Sequence, residues 1–401
     1  MKRPELLSPA GDMESLTAAA EFGADAVYIG GSSFSMRSAP ANFTMPQIRA
    51  AASYLHGCGK KLYVACNVLP RNDELGDIEA FLYNAAQAGA DAFIISDMGV
   101  LELAKKTAPQ VDIHISTQTG VVNYAAANAL FSYGAKRIVL AREVSLREIA
   151  QIRAHIPASL ELEAFIHGSM CVSFSGRCLL SNYLAARDGN HGECAQPCRW
   201  NYALCEETRP GEYMPISEDG TGTHILSSKD LRMIEHIPEM LAAGISSLKI
   251  EGRAKSACYT AAVTNAYRMA VDSYLETGCE APDPKIIAET DLVSHREYCT
   301  GFYFGPIKHG QDYSGHYDRG CTIVAVARSG GDCAQYRQKN RFSEGDELEA
   351  LEPGKTGERI GIISMLDGDM RQISEASEPD MQLFIRTDRP VKPGTMLRRR
   401  K

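Results

Sequence analysis

Four cysteines, Cys171, Cys178, Cys194 and Cys198, follow the spacing C-x6-C-x15-C-x3-C and come directly after His167-Gly-Ser-Met. In reducing surroundings, cysteines grouped on one segment are ligands or reactive groups more often than disulfides. Structural zinc sites usually present paired C-x2-4-C knuckles, and only the Cys194/Cys198 half comes near that pattern. An iron-sulfur cluster accepts varied spacings provided the sulfurs converge. The spacing therefore leaves three readings open: a cluster, zinc, or unliganded thiols. A radical S-adenosylmethionine site of the C-x3-C-x2-C type is disfavoured, because the position of its third cysteine is Asn201.

Other reactive side chains accompany the thiols. His167 and Glu251 are candidates for proton transfer, since imidazole titrates near neutral pH and a carboxylate in a dry pocket is raised toward it. Arg142 and Arg253 carry the forked donors that clamp a carboxylate or phosphate. An equally weighted alternative is a structural ion pair between Glu251 and an arginine. No H-E-x-x-H or G-x-S-x-G motif occurs, which removes the usual signatures of zinc proteases and serine hydrolases. Ser169 or Cys171 beside His167 is weak evidence for a nucleophile and base, because neighbouring residues on a strand point to opposite sides.

These groups require a scaffold, and the chain supplies a recognisable one. Eight short apolar runs are spread over the first 250 residues, beginning at Glu5, Ala26, Lys61, Ala92, Asp112, Arg137, Glu161 and Ser247. Most are separated by about 20 to 30 residues of helix-period sequence, as parallel strands covered by helices require. Eight such units predict an α/β fold of the (β/α)8 barrel type, over residues 1–300. In such a barrel, reactive groups come from the strand C-termini. Here those ends read Asn67, Ser96-Asp97, Ser116-Thr-Gln118, Arg142-Glu143, His167-Gly168 and Glu251-Gly-Arg253. A recurring Gly-Ala-Asp or Gly-Ala-Lys type motif, with glycines at 23, 89, 134 and 244, marks helix ends rather than chemistry. The spacing breaks at about 169–246, where a long insertion carries the four cysteines and Trp200. A hairpin joining Trp200-Asn-Tyr-Ala-Leu-Cys205 to His224-Ile-Leu-Ser-Ser is expected inside it.

Residues 301–401 change to short alternating strands with turn signals, which predicts a small all-β barrel. The whole chain has 42 Lys+Arg against 50 Asp+Glu, whereas residues 301–401 carry 16 against 15 and close on Arg398-Arg-Arg-Lys401. That basic end reads as a solvated tail or a phosphate contact. The acidic total argues against non-specific nucleic-acid binding but not against one specific substrate. With no run of about 18 apolar residues and no secretory-type opening, a cytoplasmic protein is expected.

Several stretches together resemble the collagenase-like peptidase family of unknown catalytic type. They are Glu5-Leu-Leu-Ser-Pro-Ala-Gly-Asp12, His167-Gly-Ser-Met-Cys171, Ser175-Gly-Arg-Cys178, Gly192-Glu-Cys194-Ala-Gln-Pro-Cys198-Arg-Trp200, Ser228-Lys-Asp230, Leu248-Lys-Ile-Glu-Gly-Arg253 and Phe302-Tyr-Phe-Gly305. The resemblance spans both domains. It implies a barrel followed by a small β-barrel, and either a peptidase or a hydroxylase that works without molecular oxygen. Hydroxylating members act on the wobble uridine of tRNA, giving 5-hydroxyuridine, on a cytidine of ribosomal RNA, or on a quinone precursor. This chain is most similar to the tRNA branch. The resemblance further implies a [4Fe-4S] cluster on Cys171, Cys178 and Cys194, with Cys198 as the nearest substitute for a fourth ligand, and prephenate as an anionic cosubstrate. In that scheme Arg142 or Arg253 would hold the anion and Trp200 would stack on a flipped-out base or anchor the hairpin.

Overall fold

The computed structural model describes residues 3–35, 42–171, 178–188, 193–197, 229–305 and 319–401, and four short strands between 204 and 224. Strands β1 (Glu5–Pro9), β2 (Ala26–Gly30), β3 (Lys61–Cys66), β4 (Ala92–Ile95), β5 (Asp112–Ile115), β6 (Arg137–Val139) and β7 (Glu161–Ser169) pair in parallel in that order. Next come the ribbons of β8 (Leu204–Cys205) with β9 (Tyr213–Met214) and of β10 (Ser217–Asp219) with β11 (Gly222–His224). Strand β12 (Asp230–Arg232) precedes β13 (Ser247–Ile250), which pairs with both β7 and β1 and so closes an eight-stranded parallel barrel. All eight expected strands are present. The expected hairpin between residues 200–205 and 224–228 is not: Leu204 pairs with Met214, and His224 with Ser217. Each short run takes a nearer partner, which closes a smaller loop at lower entropic cost.

Apolar residues on the outer face of the strands, such as Leu6, Val27, Leu62, Phe93 and Leu248, are fully buried beneath the helices. Gly23, Gly89, Gly134 and Gly244 end their helices with φ between +96° and +105°, which the absence of a Cβ makes inexpensive. Inside the barrel, near the strand N-termini, the filling is ionic. Arg137 bonds Glu5, Glu161, Glu163 and the Ser247 hydroxyl, and Lys249 Nζ lies 2.8 Å from Glu163 Oε1. Burial raises the Glu163 pKa, but Lys249 and Arg137 outweigh it and hold the carboxyl below its ordinary range. This plug closes the floor beneath the barrel mouth.

Two additions were not legible beforehand. Strand β7 runs past the barrel rim, where Gly168 and Ser169 pair antiparallel with Leu231 and Asp230. Strand β14 (Tyr298–Cys299) then pairs with β12, making a side sheet beside the mouth.

Residues 321–400 form ten strands, from β15 (Cys321–Ala327) to β24 (Met396–Arg400). Eight lie in one curled antiparallel sheet around a separate core that includes Val324, Tyr336, Leu348, Ile385 and Leu397. The basic end is ordered, and solvated only in part, at Arg399, Arg400 and Lys401. It is strand β24, in which Arg398 is buried and makes a double hydrogen bond to Glu289, on the helix Pro284–Asp291, at 2.6 and 2.9 Å. Arg399 pairs with Asp346 and Arg400 with Glu349, so acidic neighbours already hold the guanidinium groups read as phosphate contacts. Asn265 reinforces the seam between the domains, donating to Lys355 O at 2.7 Å and accepting from Gly354 N at 2.8 Å. Among the described residues no helix is long and apolar enough to cross a membrane.

Candidate active site

The ends of β6, β7 and β13 bring Arg142 and Glu251 together. Arg142 lies flat over the Phe165 ring, with Cζ 4.0 Å from its centroid, and donates from Nη1 to Ser169 O at 2.7 Å. Its Nη2 is 3.6 Å from Glu251 Oε2, and both side chains are nearly buried, at 10% and 13% exposure. Arg142 Nε is buried and has no hydrogen-bond partner among the described residues. A guanidinium in this state holds a donor in reserve, and an unpaired buried donor is costly unless a ligand takes it. The Tyr28 hydroxyl lies 3.0 Å from Ile250 O and 3.4 Å from Glu251 Oε2, so its single proton is better placed on the carbonyl.

The backbone here is fixed by the pairing of the two strand ends. Glu251 N–H donates to His167 O at 2.9 Å, and the Tyr259 hydroxyl donates to Glu251 O at 2.9 Å. Gly168 has φ +103°, and a Cβ there would stand 2.4 Å from Glu251 O. Only glycine lets the chain pass the Glu251 carbonyl at this distance and angle.

His167 does not join Arg142 and Glu251. The pairing of β7 with β13 shifts after Phe165, so that Lys249 faces Phe165 but Ile250 faces His167. The extra residue in β7 is a bulge, which moves the following side chain to the other face of the strand. His167 therefore packs among Tyr259, Tyr267 and Tyr298, with ring centroids at 5.4 to 6.0 Å. Two hydroxyls take the carbonyls at the bulge: Tyr303 donates to Phe165 O at 2.6 Å and Tyr267 to Ile166 O at 2.7 Å. With the Tyr267 proton so used, the 3.3 Å contact to His167 Nδ1 places the imidazole proton on Nδ1. Burial pushes the His167 pKa down to about 3, against the pull of Asp230, so the ring is neutral.

Arg253 turns toward the loop after β2, where its Nη1 donates to Ser35 Oγ at 2.6 Å. Across the mouth, a second polar group joins the ends of β3, β4 and β5. Gln118 Oε1 accepts from Asn67 Nδ2 at 2.5 Å and from Ser116 Oγ at 3.2 Å, and Ser96 Oγ lies 3.2 Å from both Gln118 Oε1 and Asn67 O, to one of which it donates. The polarity of these strand ends was visible in the sequence, but their convergence on one amide was not. Nor was the pair at Asp230, buried beside the side sheet, whose carboxylate takes Arg296 Nη2 at 2.7 Å. Burial raises that carboxyl, yet Arg296 holds it below its ordinary value.

The cysteine segment leaves the rim directly from β7. Cys171 and Cys194 are exposed and Cys178 is half-buried. Ala195 N–H donates to Ser181 Oγ at 3.0 Å, tying the Cys194 stretch to the helix Leu180–Ala185. The donor chemistry fits a cluster or zinc, since thiolates are ligands to both. Among the described residues no three His, Cys, Asp or Glu side chains are arranged around a common metal position. Cys198 and Trp200 lie outside the described residues.

A sequence model described as peptidase family U32 matches residues 11–312, and a second, for the C-terminal domain of that family, matches 319–398. The chain belongs to peptidase family U32. Family relatives carry different names. The tRNA hydroxylation protein P1 of Bacillus subtilis is 35% identical over 410 residues, covering 100% of this chain and 96% of that protein. A Methanocaldococcus jannaschii protein named as an uncharacterized protease is 37% identical over 93% of this chain and 90% of its own length. The 23S rRNA 5-hydroxycytidine synthase of Escherichia coli is 36% identical over 68% of this chain but only 40% of that protein.

Proposed function

We propose that this U32 protein is an RNA-modifying hydroxylase acting on tRNA, converting the wobble uridine to 5-hydroxyuridine without molecular oxygen. The end-to-end similarity to a tRNA hydroxylation protein supports the substrate class, and the shorter match to an rRNA hydroxycytidine synthase supports the reaction type. The structural observation that carries the reading is Arg142, nearly buried at the barrel mouth, with an Nε that no described residue takes. That guanidinium would hold a small anionic cosubstrate, for which prephenate is the candidate. Glu251 beside it would bias the anion toward a protonated or hydroxyl-bearing edge and would hold a proton at Oε2 when needed.

Cys171, Cys178, Cys194 and Cys198 would hold a [4Fe-4S] cluster. When bound, such a cluster would supply electron transfer, or, were it held by Cys171, Cys178 and Cys194 alone, an open iron position for the oxygen donor. The protein's part would be positioning: Arg142 orients the anion at the mouth, the ionic cluster fills the opposite end of the barrel, and a base leaving the anticodon stack enters from above. Trp200 is the aromatic candidate for stacking on that base.

The peptidase reading draws on the family name and on the M. jannaschii relative. Its weakest point is the base. His167, the one histidine near Ser169 and Cys171 in sequence, is buried on the far face of β7 with a strongly lowered pKa.

Iron, zinc and sulfide should be measured on protein purified without oxygen, for wild type and Cys194→Ala, together with nucleosides of tRNA from a complemented deletion strain. About four iron and four sulfide per chain, lost in the variant along with 5-hydroxyuridine, is the expected result. Zinc alone, or unchanged nucleosides on deletion, would overturn the proposal.

A further inference from the structure

We propose that Gln118 determines which pyrimidine the site accepts, its amide N–H selecting a uracil oxygen and rejecting the cytosine amino group. The inference rests on the RNA-hydroxylase reading for its substrate class, and on the geometry at the ends of β3, β4 and β5 for everything else.

A glutamine amide ordinarily reads either a donor or an acceptor, because rotating it by half a turn exchanges oxygen and nitrogen. Gln118 cannot do this without loss. Its Oε1 is surrounded by Asn67 Nδ2 and the hydroxyls of Ser96 and Ser116. Turning the amide over would set its NH2 against the Asn67 NH2, donor against donor. The Ser116 hydroxyl accepts Gln118 N–H and can donate to Oε1 at the same time, which ties the amide to its own backbone. Reversing Gln118 therefore requires Asn67 to turn with it; as the two amides stand the oxygen end faces inward, and no described residue takes Nε2.

The turn that carries this amide is itself pinned. Thr117 Oγ1 donates to Leu140 O at 2.9 Å and Thr119 Oγ1 to Ser96 O at 3.2 Å, so both neighbours of Gln118 are tied to the ends of adjacent strands. Gly120 closes the turn in the left-handed region at φ +76°. A donor held this rigidly is a reading group rather than an adaptable contact.

Uracil and cytosine differ at position 4, which is an acceptor oxygen in the first and a donor amino group in the second. Position 4 is bonded to C5, the carbon to be hydroxylated. A fixed N–H meeting O4 would hold C5 one bond away from a known point, whereas a cytosine would present N–H to N–H and leave both unpaired. Sites built around such a polar match discriminate far better than apolar pockets do.

Binding of two anticodon stem-loop RNAs, identical except for uridine or cytidine at the wobble position, tests this without requiring turnover. Wild type should favour the uridine hairpin by about tenfold, the worth of one good hydrogen bond. Gln118→Glu, which keeps an oxygen for Asn67 and offers an acceptor outward, should reverse the preference. Gln118→Met, similar in length and without charge, should abolish it, and serves where Gln118→Glu does not fold. Equal binding of both hairpins by wild type, or a wild-type preference retained in either folded variant, overturns the inference. A wild type that prefers uridine yet yields no hydroxylated uridine leaves the inference standing and removes the hydroxylase reading instead.

Discussion

Arg142 and Glu251 meet at 3.6 Å across the ends of two barrel strands, a contact longer than a charge-assisted hydrogen bond, while Arg142 spends its best donor on the Ser169 carbonyl. The pair is thus loosely coupled. Replacing Arg142 by Lys retains the charge but removes Nε and the planar fork. 5-Hydroxyuridine in tRNA should fall by roughly tenfold or more, the equivalent of about 1.5–3 kcal/mol for a lost hydrogen bond to a charged group. Nucleoside analysis of the complemented strain reads this, and a thermal melt within a few degrees of wild type would separate it from misfolding.

His167 makes the fold acid-sensitive. Its folded pKa, about 3, lies below the ordinary value of 6.5 from which burial lowers it, so the unfolded chain binds the extra proton. Stability is complete above pH 6.5 and declines as pH falls toward 3, by at most about 1.4 kcal/mol per pH unit from this group. Denaturant titrations at pH 7.5, 6.0 and 5.0 should show the decline, and His167→Gln should reduce it, leaving the share of the buried His114, whose pKa burial also lowers, while lowering stability at pH 7.5.

At the domain seam, Glu289→Ala would leave the buried Arg398 guanidinium with only its Glu349 contacts. The expected cost is about 3 kcal/mol, the low end for breaking a buried ion pair because one carboxylate remains. Replacing both Glu289 and Arg398 with apolar residues should recover part of that loss in the same unfolding measurement.

Gly168→Ala should cost about 1–3 kcal/mol for a side chain forced into a left-handed conformation. It should also displace the Glu251 carbonyl, which a Cβ would approach to 2.4 Å. Hydroxylation should therefore fall further than the melting temperature alone accounts for. A variant of full activity would show that the β7–β13 junction does not set the site.

Most of the barrel was legible because its strands are buried on both faces, and continuous apolar runs survive in a single sequence. Arg142 and Glu251 were legible for the same reason: a strand's position fixes where its end must be. The bulge in β7 was not, since one additional paired residue leaves no mark on composition, yet it sends His167 out of the site. Strands β12 and β14, three and two residues long, are too short to show any period and exist only through pairing with the extended β7. Within the closing basic run the sequence could not separate Arg398, buried on Glu289, from Arg399 and Arg400, which stay partly exposed, because a charge run looks the same whether water or buried glutamate receives it.

Ser169 and Asp230 are direct partners across β7 and β12, so the long cysteine-bearing segment leaves and re-enters the barrel at one zippered point. Its length is therefore thermodynamically insulated from the scaffold: a longer or shorter segment changes the closure entropy only slowly and strains no barrel strand. The segment behaves as a cassette. A chain in which residues 171–228 are replaced by a short Gly-Ser bridge should still fold and bury its ionic floor.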